Sequence, residues 1–177
     1  MPFTPFHFGP GIALKSLLRN WFSLSIFIIS QILIDIEPLF YLFHGQYPLH
    51  RFFHTYLGAT FVVLICIIIG RPVCQKMLRF WNGNLNKQQE KFLYIEPFIS
   101  WKATIISSII GSYSHVFLDS LIYYDVKPFE PFSTSNILVD TIFSVKGINI
   151  FCIICGIFGL IIFLMYFLKA KVRISKK

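Results

Sequence analysis

Residues 147–168, GINIFCIICGIFGLIIFLMYFL, form an uninterrupted apolar stretch without a charged side chain. A helix of this length rises about 33 Å, which is enough to cross a bilayer hydrocarbon core of about 30 Å. The whole chain has the same character, because 55% of its 177 residues are hydrophobic and 14% are charged. A soluble domain carries about 25% charged residues. The sequence therefore predicts an all-α, multipass integral membrane helical bundle.

Two further stretches are predicted to span the membrane. The first covers residues 48–70 and the second residues 97–124. Each opens with a proline, which suits the first turn of a helix. Arg71-Pro72 is expected to end the first of these helices, because the residue before a proline disfavours helical geometry. The prediction is thus three spanning helices, at 48–70, 97–124 and 147–168.

The N-terminal part admits two interpretations. Asp35, Glu37 and Pro38 interrupt an apolar run, and Arg19-Asn20 separates it from a shorter one. We predict a helical hairpin over residues 7–34, with arms at 7–18 and 22–34, each about 18–20 Å long. The alternative is a single span at 21–43 that follows an interfacial helix.

The basic residues predict the orientation. Of the sixteen Lys and Arg residues, we expect Arg51, Lys127 and Lys146 on one side and the other thirteen on the opposite side. An excess of Lys and Arg marks the cytoplasmic side of a membrane protein. We therefore expect a single domain, residues 1–177, in the cell inner (plasma) membrane. The 71–96 loop and the basic tail at 169–177 are expected in the cytoplasm. The net charge of +8 then reflects topology, and we expect no nucleic-acid partner.

Ionisable side chains concentrate near the outer ends of the predicted helices. His50 and His54 are four residues apart, as are His115 and Asp119, so each pair lies on one helical face. An antiparallel hairpin would bring His7 and Asp35 to the same side. Ionisable groups at membrane depth are costly and are commonly functional. The predicted convergent set is His7, Asp35, Glu37, His50, His54, His115 and Asp119.

The charge of this set favours a bound cation. Several carboxylates at a low-dielectric boundary repel one another, and Arg51 is the nearby fixed positive charge. Imidazole together with carboxylate suits zinc or another divalent transition metal. We expect a divalent metal, foremost zinc, as one or two ions with the site near the outer face. The competing interpretation is a set of hydrogen-bonded interfacial residues without a metal.

Several short motifs resemble a bacterial membrane-bound family of metal-dependent hydrolases, inner-membrane proteins distantly similar to zinc-dependent phospholipase C. The matching pieces are MPFTPFHFGPG at 1–11, DIEP at 35–38, HRFFHT at 50–55 and SHVFLDS at 114–120. The resemblance implies that the metal-ligand positions are His7, Asp35, His50, His54, His115 and Asp119. It also implies hydrolysis of a phosphoester or a phospholipid-like substrate. The chain has Asp35-Ile36-Glu37 where the wider family has Asp-x-Asp.

The expected function follows from both lines of argument. The leading hypothesis is a metal-dependent membrane hydrolase that uses a metal-activated water, with membrane lipid as its surroundings and a lipid or phosphoester as substrate. Glu37 is the expected general base, and Arg51 is expected to pair with a phosphate or to anchor Asp35. Two alternatives stay open: a non-catalytic scaffold or accessory protein with a structural His/Asp metal site, and an ion or proton pathway.

Overall fold

The computed structural model describes residues 5–139 and 144–174, and within these residues all regular secondary structure is helical. The α-helices are α1 (Phe8–Leu18), α2 (Leu24–Phe43), α3 (Tyr56–Ile65), α4 (Arg71–Gly83), α5 (Lys87–Leu93), α6 (Trp101–Ser120) and α7 (Val145–Ile174). Among the described residues, three helical segments are long and apolar enough to cross a membrane, namely Leu24–Phe43, Tyr56–Gly83 and Val145–Tyr166. The predicted all-helical membrane bundle is confirmed.

Two helices form the N-terminal part, and the second has nearly the bounds of the alternative interpretation, a single span at 21–43, instead of those of the predicted hairpin arm at 22–34. Helix α1 ends at Leu18, and a 3-10 turn at Arg19–Trp21 reverses the chain. Ser23 then caps α2 by accepting a hydrogen bond from the backbone N–H of Ile26. Helix α2 continues through Pro38 to Phe43, so the predicted end at residue 34 is wrong. The helix tolerates Asp35 because that side chain is buried against other polar groups.

The predicted helix at 48–70 starts later and ends later. Residues 48–51 are irregular, a 3-10 turn covers Phe52–His54, and Thr55 caps α3 by accepting from the N–H of Gly58. The helix does not stop at Arg71-Pro72, because a π-helical turn at Cys66–Gly70 joins α3 to α4. Proline suits the first turn after such a change in hydrogen bonding. Much of the predicted 71–96 loop is therefore helical, in α4 and α5.

Helix α6 lies at the centre of the bundle, packed between α2 and α3. It is shorter than the predicted 97–124 and is not among the three segments apolar enough to span a membrane. Its buried face carries Ser107, Ser108, Ser112, His115 and Asp119. A central helix faces other helices more than lipid, which explains why polar side chains are accommodated there.

Helix α7 packs against α1 through glycine. A Cβ atom on Gly9 would collide with the backbone carbonyl of Cys152, and one on Gly159 would lie 2.6 Å from the backbone N of Ala13. Small residues allow membrane helices to approach this closely. Helix α7 extends from Val145 to Ile174, so it is longer than the predicted 147–168 and includes part of the predicted basic tail. Residues 175–177 lie outside the described residues.

Candidate metal centre

Four side chains from three parts of the chain meet inside the bundle. They are Asp35 on α2, His54 from the turn before α3, and His115 and Asp119 on α6. One ligand atom from each lies within 4.8 Å of every other. All four side chains are buried. The predicted convergence of α2, α6 and the 50–55 segment is therefore present, and the group could hold a divalent metal ion.

Asp119 lies at the centre of this cluster and contacts both of its histidines. Its Oδ2 atom lies 3.3 Å from Nε2 of His54 and 3.3 Å from Nε2 of His115. The same His115 atom lies 3.3 Å from Oδ1 of Asp35. Because His115 and Asp119 are one helical turn apart, α6 alone fixes the spacing of two of the four groups.

The tautomer of His115 follows from its second contact. Gln31 donates its side-chain N–H to the carbonyl of Gly111 at 3.1 Å, which fixes the orientation of the amide. The Gln31 Oε1 atom therefore faces Nδ1 of His115 and accepts a hydrogen bond from it at 2.5 Å. With the proton on Nδ1, the Nε2 lone pair of the neutral ring points at Asp35 and Asp119. In the neutral ring this arrangement is repulsive, and either a cation between the groups or a second proton on Nε2 would remove the repulsion.

Glu37 orients His54 in a similar way. Its Oε2 atom lies 3.5 Å from Nδ1 of His54 and also accepts the backbone N–H groups of Arg51 and Phe53 at 3.1 and 3.0 Å. With Nδ1 facing Glu37, Nε2 of His54 faces Asp119. The structure thus places Glu37 behind a candidate ligand, where its carboxylate also fixes the turn that carries His54.

His7 contacts two members of the cluster. Its Nε2 atom lies 3.7 Å from Oδ1 of Asp119, and its ring contacts the His115 ring edge to face with centroids 5.1 Å apart. Burial lowers the pKa of His7 to about 4, because the imidazolium would lose its hydration. The neutral ring is the form that binds a metal.

Several polar atoms of the cluster lack hydrogen bonds. Within residues 5–139 and 144–174, the atoms without a partner include Nδ1 and Nε2 of His7, Nε2 of His54 and of His115, and Oδ1 of Asp119. The three histidines are 0% exposed, so water does not reach them freely. An unsatisfied buried polar group costs about 1–3 kcal/mol. Cations at the cluster would satisfy the three Nε2 atoms and Oδ1 of Asp119 but not Nδ1 of His7, so the donor set at the centre fits a metal ion.

His50 lies next to the cluster but has a different partner. Its Nδ1 atom is 2.8 Å from Oδ1 of Asp125, whose Oδ2 atom accepts the backbone N–H groups of Leu49 and His50. The His50 ring stacks on Tyr123 and contacts the His54 ring, each with centroids 4.6 Å apart. Burial by itself would raise the pKa of Asp125, but the charge and hydrogen bonds of His50 lower it. His50 is therefore not in the four-residue group, although it touches one member.

Arg51 points away from the position expected for it. Its Nε atom donates to the carbonyl of Pro48 at 3.0 Å, and its guanidinium carbon lies 3.6 Å from the centre of the Tyr41 ring. No ion pair with Asp35 forms in the described part of the chain, so the expected anchoring of Asp35 by Arg51 is wrong. The aromatic ring already provides a favourable cation–π contact.

Gln31 and Asp125 are not among the residues that the sequence predicts at the site. Gln31 is a polar residue in an apolar helix one turn before Asp35, a spacing that could have signalled a shared face. The sequence gives no comparable signal for Asp125, because it follows the end of α6 and reaches His50 only through the path of the connection after that helix.

The comparison with known proteins identifies a family but no activity. A family model described as a domain of unknown function (DUF4184) matches residues 1–177. No curated protein matches the chain, and neither does any solved structure.

Proposed function

The chain belongs to this family of unknown function, and from the geometry of its His/Asp cluster we propose that it is a divalent-metal-dependent membrane hydrolase that acts on a phosphoester. The supporting observation is the set of buried Nε2 atoms of His54 and His115 directed at Asp119 without hydrogen bonds. Zinc is the proposed ion, because two imidazoles and two carboxylates within 4.8 Å suit its coordination.

Five residues are the proposed metal ligands. Asp35, His54, His115 and Asp119 hold the first ion. His7 faces the second oxygen of Asp119 and is the proposed ligand for a second ion, for which Asp119 would be the shared group. When bound, zinc supplies Lewis acidity and lowers the pKa of a coordinated water toward neutrality.

The remaining polar residues position the ligands. Gln31 holds His115 in the tautomer that presents Nε2, and Glu37 does the same for His54. Because Oε2 of Glu37 is occupied by two backbone N–H groups as well as by His54, positioning is the role that its contacts favour over that of a general base. Such outer partners contribute about 10–100-fold to metal affinity or activity.

A neighbouring pocket is the feature that supports an enzyme, whereas the four buried ligands by themselves would also suit a structural metal centre. A pocket of about 630 Å³ lies beside the cluster and is lined by His50, whose ring touches His54. A structural zinc site is closed, whereas a catalytic one keeps an accessible position. We propose that the pocket opens on the outer face of the inner membrane, with the C-terminus in the cytoplasm, as the distribution of Lys and Arg favours.

The test is turnover by purified protein in detergent. A chelator should abolish hydrolysis of fluorogenic phosphoesters and of a labelled phospholipid, and added zinc or manganese should restore it. Asp119→Asn should lose activity by several orders of magnitude. His44→Ala should keep it, because His44 is exposed and bonds only its own helix end. A metal-loaded protein that hydrolyses none of these substrates would contradict the proposal and leave a structural metal site.

A further inference from the structure

One helix of the bundle is longer than the hydrocarbon core of a membrane. The continuous helical segment Tyr56–Gly83 has 28 residues and is therefore about 42 Å long, against a core of about 30 Å. The last buried side chains along it are those of Cys74 and Gln75. Residues 76–83, about 12 Å of helix, thus extend beyond the packed bundle.

This end of α4 forms an arm together with the segment that follows it. The indole N–H of Trp81 donates to the carbonyl of Leu93 at 3.0 Å. The Asn82 side chain donates to the carbonyl of Ile95 at 2.7 Å and accepts the backbone N–H of Ile95 at 3.1 Å. Helix α5 and the residues after it are therefore held against the end of α4. We call residues 76–98 the α4–α5 arm.

Large apolar side chains of the arm are exposed. Phe80 is 75% exposed and Phe98 is 66% exposed, and Met77 and Tyr94 are exposed as well. A group of exposed apolar side chains marks a surface that contacts a membrane or another protein. The arm is therefore expected to contact something less polar than bulk water.

The same arm is basic. It carries four basic and two acidic side chains, all exposed: Lys76, Arg79, Lys87 and Lys91 against Glu90 and Glu96. Among the described residues, no carboxylate pairs with Lys76 or Arg79. Long basic side chains lay their hydrocarbon stems on apolar surface and keep their charge outside it. The core of a protein–protein interface is depleted of charge, so this mixture favours lipid headgroups over a protein partner.

The base of the arm carries basic side chains that stack on tryptophan. The guanidinium carbon of Arg71 lies 4.0 Å from the centre of the Trp101 ring, and Nζ of Lys102 lies 3.4 Å from the centre of the Trp21 ring. Both tryptophans are more than half exposed. Tryptophan is enriched at membrane–water interfaces. The tryptophans thus favour an interfacial position for the base of the arm, with the rest of the arm at the depth of the headgroups.

We propose that the α4–α5 arm lies in the headgroup region of the membrane and binds anionic phospholipid headgroups through Lys76 and Arg79. The headgroup regions bring the thickness of a bilayer to about 40–45 Å, which a helix of about 42 Å spans at a modest tilt. Basic residues near an anionic leaflet are attracted to its surface. The apolar side chains of Phe80 and Tyr94 then face the acyl chains. The inference does not depend on the chemistry of the His/Asp cluster.

The first experiment measures the depth of the arm in the membrane. Full-length protein is placed in nanodiscs that contain phosphatidylglycerol, with Cys155→Ala as the background because the other three cysteines are buried. A nitroxide label is attached at Phe80→Cys, at Tyr94→Cys or, as the control, at Glu90→Cys. Relaxation by oxygen, which concentrates in lipid, is compared with relaxation by a water-soluble nickel chelate. The labels at 80 and 94 should be relaxed mainly by oxygen, and the label at 90 mainly by nickel, because a carboxylate should face away from anionic headgroups.

The second experiment measures the preference for anionic lipid. Association of spin-labelled phosphatidylglycerol with the protein is compared with that of spin-labelled phosphatidylcholine, and the wild type should prefer phosphatidylglycerol. Lys76→Gln combined with Arg79→Gln should reduce this preference by up to about fivefold for each charge removed. Lys127→Gln combined with Lys146→Gln removes the same charge outside the arm and should keep the preference. A preference that is absent in the wild type, unchanged in the first pair or equally reduced in both pairs would overturn the inference.

The label at position 94 is the decisive one, because Tyr94 lies outside the three helical segments that could span the membrane. Access to oxygen and protection from nickel at this position would support the proposal. If the label is as accessible to nickel as the one at position 90, the arm lies in water and the proposal is wrong. If it is shielded from both reagents, a protein partner or a second copy of the chain covers the arm, and the proposal is wrong as well.

Discussion

Nε2 of His115 on α6 lies 3.3 Å from Oδ1 of Asp35 on α2, yet it forms no hydrogen bond in the described structure. The other ring nitrogen of His115 donates to Gln31, so a lone pair faces the carboxylate. In the neutral ring that lone pair repels the carboxylate, and a cation or a second ring proton between the two groups would remove the repulsion. This relationship is what a shared cation would explain.

The contact between Gln31 and His115 gives the first prediction. Gln31→Leu would leave the buried Nδ1–H of His115 without an acceptor and free the ring to rotate. The zinc affinity should fall about 10–100-fold. Gln31→Glu keeps an acceptor for Nδ1–H of His115 but loses the donor to the Gly111 carbonyl, so its zinc affinity should fall less than that of the leucine variant. Competition with a chromophoric chelator measures both, and an unchanged affinity in the leucine variant would show that Gln31 does not orient the ligand.

A substitution at Glu37 tests whether this residue positions a ligand or acts as a general base. Glu37→Gln keeps an oxygen that can accept the N–H groups of Arg51 and Phe53 but removes the negative charge behind His54. The positioning role predicts about tenfold weaker zinc binding, with turnover largely recovered at saturating zinc. The role of general base, expected from the sequence, predicts normal zinc binding and a turnover number lower by about 10²–10⁴-fold. Titration followed by kinetics at saturating metal separates the two.

The contact between α1 and α7 should control how firmly His7 is held. Gly159→Ala would bring a Cβ atom to 2.6 Å from the backbone of Ala13, so the helices must move apart. The cost should be about 1–3 kcal/mol, seen as a lower melting temperature in detergent. Gly156→Ala is the matched control, because its Cβ would lie 3.4 Å from Cα of Gly9, an ordinary contact. Equal melting temperatures for the two variants would contradict the packing described.

The predicted orientation can be tested with reporter fusions. If the 97–124 segment crosses the membrane as the sequence predicts, thirteen of the sixteen basic residues lie in the cytoplasm, so a fluorescent protein fused to the C-terminus or after Asn84 should fluoresce; equal signals from fusions after Asn84 and after Phe132 would show that α6 does not cross. Alkaline phosphatase fused after Phe132 should be active, because that connection should lie outside. The opposite pattern at these positions would place the metal cluster near the cytoplasmic face and overturn the assigned orientation.

The architecture was largely predictable because apolar length and composition dominate it. Residues 147–168 alone required a membrane-spanning helix, and α7 contains all of them. The helix ends were less predictable. Pro72 predicts that the helix ends before it, but the helix continues through a π-helical turn at Cys66–Gly70. The sequence does not show that the backbone hydrogen bonds rearrange in this way before a proline.

The candidate site was predictable where one helix fixes the spacing. His115 and Asp119 share a face of α6 and meet as the spacing predicts. His50 and His54 also meet, but through an irregular segment and a 3-10 turn instead of one helix. The partner of His50 comes from Asp125, in a connection whose path depends on tertiary contacts. Residue spacing does not predict such a pairing, and His50 was expected among the ligands because of its spacing to His54 and the family resemblance.

The most direct test of the account is the metal content of the purified protein, measured by inductively coupled plasma mass spectrometry after exchange into metal-free detergent buffer. The account predicts zinc or manganese at one to two ions per chain in the wild type, with loss in His115→Ala and Asp119→Ala and retention in His44→Ala. A wild-type protein that stays folded, carries no divalent metal and binds none on titration would contradict it.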